Sequence, residues 1–143
     1  MWDVPGQQLA NPDWLDLEPV RVLYEYDGPR IFTCQDKAGK LLLAYLCSED
    51  RTRRRFLLVP FDADLEQQLT AGQIDLRDAL TRSPAWIVDV ANDWQPLALW
   101  LVEVESLPAN VLPRPGVMLW ASLRPVLNGT APAIYKSLTA PLA

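Results

Sequence analysis

The stretch FLLVPFDADLEQQLTAGQIDLRDAL, residues 56–80, decides the fold class. Phe56-Leu57-Leu58-Val59 reads as a short strand that stops at Pro60. Asp62 is placed to cap a first helix carrying Leu65 and Leu69 on one face. That helix should end at Gly72, where a left-handed backbone is cheap for glycine. Asp75 caps a second helix with Asp78 three residues on and Leu76, Ala79 and Leu80 as its apolar stripe, until Ser83-Pro84 breaks the pattern. The order is strand, helix pair, then more strand.

Upstream, Val20, Val22, Tyr24 and Tyr26 alternate at period two and predict a strand, which Asp27-Gly28-Pro29 turns into a second strand over residues 31–35. Asp36-Lys37-Ala38-Gly39 reads as a type I turn with glycine in the left-handed position. If this turn sets the register, Cys34 faces Leu42 and Phe32 faces Ala44, with Arg30 facing Leu46. Phe32, Cys34, Leu42, Ala44 and Leu46 then share one face, while Leu41, Leu43, Tyr45 and Cys47 share the other. Cys34 and Cys47 on opposite faces are expected to be reduced, buried thiols, not a disulfide.

Downstream, Ala85–Val90 predicts a strand, Ala91-Asn92-Asp93 a turn, and Trp94–Glu105 a returning strand with Trp100, Val102 and Val104 on one side. The expected architecture is a single α+β domain with a curved, mainly antiparallel sheet of five or six strands and two short helices inserted before the last two. A partly open barrel is the variant. Residues 1–19, with Trp2, Pro5, Pro12, Trp14 and Pro19, read as an extended arm. Residues 20–119 read as the domain, and 120–143 as a proline-containing tail.

The chain has 143 residues, half of them hydrophobic, which is enough to bury a core without a disulfide or structural metal. A net charge of −5 disfavours a general nucleic-acid binder. With no apolar run of membrane-spanning length and no signal-peptide pattern, the expectation is a cytoplasmic protein with no membrane association. There is no histidine, which removes the usual general base and the commonest metal ligand. No glycine falls in a dinucleotide or P-loop pattern. No catalytic residue, cofactor or metal is therefore assigned.

Three segments together, Tyr24-Glu25-Tyr26-Asp27-Gly28-Pro29-Arg30-Ile31-Phe32, Phe56-Leu57-Leu58-Val59-Pro60 and Gly72-Gln73-Ile74-Asp75-Leu76-Arg77-Asp78-Ala79-Leu80, resemble a family of small bacterial domains of unknown function. The resemblance covers roughly residues 17–119 and includes Ser106-Leu107-Pro108 and Leu112-Pro113. It implies domain limits and a bacterial origin, and it carries no activity or site.

Four arginines, Arg51, Arg53, Arg54 and Arg55, fall between the third and fourth strands of this reading. Such a cluster suits phosphate or a partner's carboxylates, against the plainer reading of a solvated hairpin tip balanced by Glu49 and Asp50. Asp27 and Arg30 beside Glu25 could form a small charged site, although Asp-Gly-Pro is ordinary turn chemistry. Glu103 and Glu105 with Asp89 or Asp93 could hold a hard cation, although alternating acids at a strand end are usually a solvated edge. Of six tryptophans, Trp86 and Trp100 are expected in the core, whereas Trp2, Trp14, Trp94 and Trp120 lie in arms, turns or tail, where tryptophan anchors interfaces.

The expected function is a non-catalytic bacterial protein-interaction or regulatory module, working through Arg51, Arg53, Arg54, Arg55, Trp2, Trp14 and Trp120. Its partner is a protein, with a homo-oligomer also compatible. The rivals are a nucleic-acid-associated accessory protein of a toxin–antitoxin or defence setting, using the arginines, and a histidine-free carboxylate-dependent hydrolase.

Overall fold

A computed structural model describes residues 1–119. Seven strands, β1 (Gly6–Leu9), β2 (Leu15–Glu25), β3 (Pro29–Asp36), β4 (Leu41–Glu49), β5 (Arg53–Pro60), β6 (Ala85–Ala91) and β7 (Pro96–Val102), form one sheet in the order β1-β7-β6-β5-β4-β3-β2. Every pairing is antiparallel. Two short helices, α1 (Ala63–Thr70) and α2 (Leu76–Leu80), are inserted between β5 and β6.

The sheet has seven strands, not five or six. The additional strand, β1, comes from the expected arm, and the arm boundary at Val20 falls inside β2. Gly6-Gln7-Gln8-Leu9 has no apolar alternation, because three of its four residues stay exposed and the strand is defined by its ladder with β7. At the other end the returning strand stops at Val102, and Val104–Ser106 form a 3-10 turn.

The two edge strands, β1 and β2, are consecutive in the chain, and this forces curvature. Six residue steps separate Leu9 from Leu15, a reach of about 20 Å. A flat seven-stranded sheet is about 29 Å wide at roughly 4.8 Å per gap. The sheet therefore curls until its edges can be bridged, yet β1 and β2 do not pair, so it stays open.

Phe32 opposite Ala44 and Cys34 opposite Leu42 match the register read from the Asp36–Gly39 turn. Asp36 Oδ1 accepts the amides of Ala38 and Lys40, and Gly39 sits at φ 88°. On the enclosed face, Phe32, Cys34, Ala44, Phe56, Leu58, Val88 and Leu99 are fully buried. On the opposite face, Ile31, Leu43, Leu57 and Ile87 pack under Leu69, Leu76 and Leu80 of the helices, with Leu107, Val111 and Leu119 completing the layer. A central strand covered on both faces needs apolar residues on both, and that is how Leu41–Cys47 reads.

The helices start and stop as their sequences dictate. Asp62 and Asp75 cap them, accepting from the amides of Leu65 and Asp78 at 2.8 Å each. The first helix ends before Gly72 at φ 75°. Asp75 also accepts the Gly116 amide through Oδ2 at 2.8 Å, tying the C-terminal segment to α2. No helix among the described residues is long and apolar enough to cross a membrane.

Candidate partner interface

The arginine segment is not a loop. Only Arg51 lies in the β4–β5 turn; Arg53, Arg54 and Arg55 are in β5, so their side chains alternate between faces. The turn is organised by Asp50, whose Oδ1 accepts from the Thr52 amide and hydroxyl and the Arg53 amide at 2.9, 3.0 and 3.0 Å. These hydrogen bonds, those from Thr52 foremost, hold the exposed Asp50 carboxyl below its usual range.

Arg54 pairs with Glu49, which also takes Arg30 at 3.3 Å. Arg30 lies over the Tyr26 ring, 5.3 Å from its centroid, and donates to the Tyr26 carbonyl. Asp27 and Gly28 both adopt positive φ, which is the turn chemistry expected of that sequence. Arg53 reaches Asp50 and Asp89. Arg51 makes no ion pair among the described residues, and only its carbonyl is engaged, by Asn92.

Arg55 belongs to the interior. Its side chain is 4% exposed, and it grips the fully buried Asp89 through Nε–Oδ1 at 2.6 Å and Nη2–Oδ2 at 2.8 Å. Nη1 donates to the Trp2 carbonyl. The guanidinium lies 4.6 Å from the Trp2 ring centroid and 5.4 Å from that of Trp100. Arg55 and Trp2, expected at a partner surface, thus latch the N-terminal arm to the sheet instead. A lone buried charge would be costly, and the bidentate geometry offsets that cost.

Trp14 stands elsewhere, at the end of the enclosed face, where it meets Trp86 with ring centroids 5.1 Å apart and planes at 60°. Its carbonyl accepts the Lys37 amide at 2.8 Å, which fixes it against the β3–β4 hairpin. Leu9, Trp14, Asp36, Lys40, Leu42, Pro60 and Trp86 line a cleft of about 430 Å³. Both tryptophans are half-buried, so Trp86 is a rim residue as much as a core one. Its position at a strand start, two residues after Pro84, was the available signal. Trp100 is likewise half-buried, beside Arg55.

Trp94 closes the other end of the enclosed face, stacked on Phe56 and edge-on to Phe32, each at 5.7 Å. It holds a positive φ of 67° in the β6–β7 turn, a conformation costly for a bulky residue, and this packing offsets the cost. Trp120 lies outside the described residues.

The thiols of Cys34 and Cys47 are free and separate, and burial pushes each up to about 12. Such thiols are poor nucleophiles. Glu103 and Glu105 belong to the 3-10 turn and its cap, not to a strand, and Asp89 is spent on arginines. No group of three potential metal ligands converges among the described residues.

These features define a class: an α+β domain with an open, curled antiparallel sheet, an aromatic cleft at one end and a charged hairpin at the other. The chain belongs to the family of unknown function DUF6575, whose profile matches residues 15–119. No curated protein and no solved structure matches the chain.

Proposed function

We propose that this domain is a non-catalytic protein-interaction or regulatory module that takes an apolar side chain of its partner into the Trp14–Trp86 cleft. The observation that carries this reading is the pair of half-buried, tilted tryptophans lining a cleft of about 430 Å³. Rigid aromatic walls offer large contact area at small entropic cost, and Lys40 and Asp36 add polar contacts at the rim. A bacterial cytoplasmic setting belongs to the same reading.

Arg51 is the favoured hairpin contact, since Arg53 and Arg54 already carry carboxylate partners. Those pairings weaken the nucleic-acid alternative. The hydrolase alternative gains no support, because the acidic residues it needed do not converge among the described residues.

The test is to replace Trp14 with the photo-crosslinking residue benzoylphenylalanine in the native host and identify what is captured. A discrete partner protein, lost when Trp86→Ser is added, supports the cleft. Capture that is unaffected by Trp86→Ser, or equal capture from the same crosslinker at exposed Leu97, would sink it.

A further inference from the structure

We infer that residues 1–9 are an exchangeable arm, and that the surface they cover along β7 and over Arg55 accepts the same arm from a second copy of this chain. The arm is fastened at two points. Trp2 stacks on Arg55 and gives its carbonyl to Nη1, and β1 adds four residues to the outer edge of β7. Apart from Leu9, β1 itself buries little.

Both fastenings read sequence, which narrows the occupant. A Cβ at Gly6 would collide with the Leu101 carbonyl and stand 2.9 Å from Val102 Cγ1, so the strand can seat only with glycine at that position. An aromatic residue must lie four positions earlier to cover Arg55. An identical arm meets both conditions, and every contact made in one copy is remade when two copies trade arms.

What differs between the two arrangements is the Ala10–Asp13 connection. In one copy it must bridge the two edges of its own sheet in a few residues around Pro12, whose φ is fixed. Up to Asp13 its hydrogen bonds are local, Leu15 N–H to the Pro12 carbonyl and Asp13 N–H to Asn11 Oδ1, whereas Trp14 is held by the Lys37 amide and Trp86 and marks the fixed end of the hinge. Leading outward to a second copy removes the bridging requirement, and short constrained hinges favour such exchange. Higher concentration shifts the balance toward the exchanged form by mass action.

The experiment mixes two full-length chains, one carrying Gln7→Cys and the other Leu101→Cys, under mild oxidation near pH 8. These positions are exposed partners in the β1–β7 ladder, and antiparallel partners lie within disulfide range. Cys34 and Cys47, with thiols raised to about 12, do not compete.

At a concentration of about 200 µM the expected product is a disulfide between the two introduced thiols, joining the two different chains. Adding Gly6→Val to the Gln7→Cys chain should cut its yield by about tenfold, and Trp2→Ala in the same chain should lower it independently. Absence of the mixed crosslink overturns the inference. So does a crosslink that neither Gly6→Val nor Trp2→Ala reduces, since that would be random collision.

Discussion

Asp89 stands directly opposite Arg55 in the β5–β6 ladder, so strand register itself brings a fully buried carboxylate to its guanidinium. The same carboxylate takes Arg53 at 3.2 Å, and the arm's Trp2 packs against the Arg55 guanidinium. One ion pair therefore joins two central strands to the N-terminal segment.

Removing one member should be far worse than removing both. Asp89→Ala is expected to cost about 3–5 kcal/mol, because Arg55 is left buried without its partner. Arg55→Met combined with Asp89→Leu should recover most of that loss, whereas Arg51→Ser at the turn should stay within about 0.5 kcal/mol of the parent. Urea denaturation of the four proteins checks the order; equal losses for Arg51→Ser and Asp89→Ala would refute it.

The two helix caps should not be equivalent. Asp62→Ala loses one capping bond, at about 1 kcal/mol. Asp75→Ala also releases the Gly116 amide, so its melting temperature should fall further. Hydrogen exchange at Gly116 should rise in that variant and stay unchanged in Asp62→Ala.

Stability should decline in alkali. A thiol whose folded-state value is raised stabilises the fold while protonated, so the contribution is intact below the unfolded value near 9.0 and is lost as pH rises toward about 12. Between those two values each thiol costs about 1.4 kcal/mol per pH unit. Tyr45, also raised by burial, acts in the same direction. Cys34→Ala with Cys47→Ala should flatten the alkaline limb. Iodoacetamide near pH 8 should leave the native thiols unmodified and label both after unfolding.

Two indoles 5.1 Å apart at 60° should couple electronically. The far-ultraviolet circular dichroism should carry an exciton couplet that disappears in Trp14→Phe and in Trp86→Phe alike. Its persistence in either variant would mean the two rings do not meet.

Local chemistry was legible where it is set by near neighbours. The Asp36–Gly39 turn fixed the β3–β4 register, and Asp62, Asp75 and Gly72 marked the helix ends. What escaped depends on distant chain. Gly6–Leu9 is a strand only because β7 lies beside it, and its one signature, a glycine, records a close approach that sequence does not announce. Arg53–Arg55 read as a charged tip because consecutive arginines usually seek water. Asp89, more than thirty residues on, draws Arg55 inward. The Trp14–Trp86 cleft was half-read for the same reason: Trp14 was expected at a surface, but its companion comes from the far side of the curl.

From β2 to β7 each strand pairs with its successor in the chain, so the sheet can zip in order as synthesis proceeds. β1 is the exception. Made first, it must wait until β7 exists, and its docking is a long-range closure with a large loop entropy to overcome. The arm should then be the last part to fold and the first to fray, with β1 amides exchanging well ahead of those in β4 and β5.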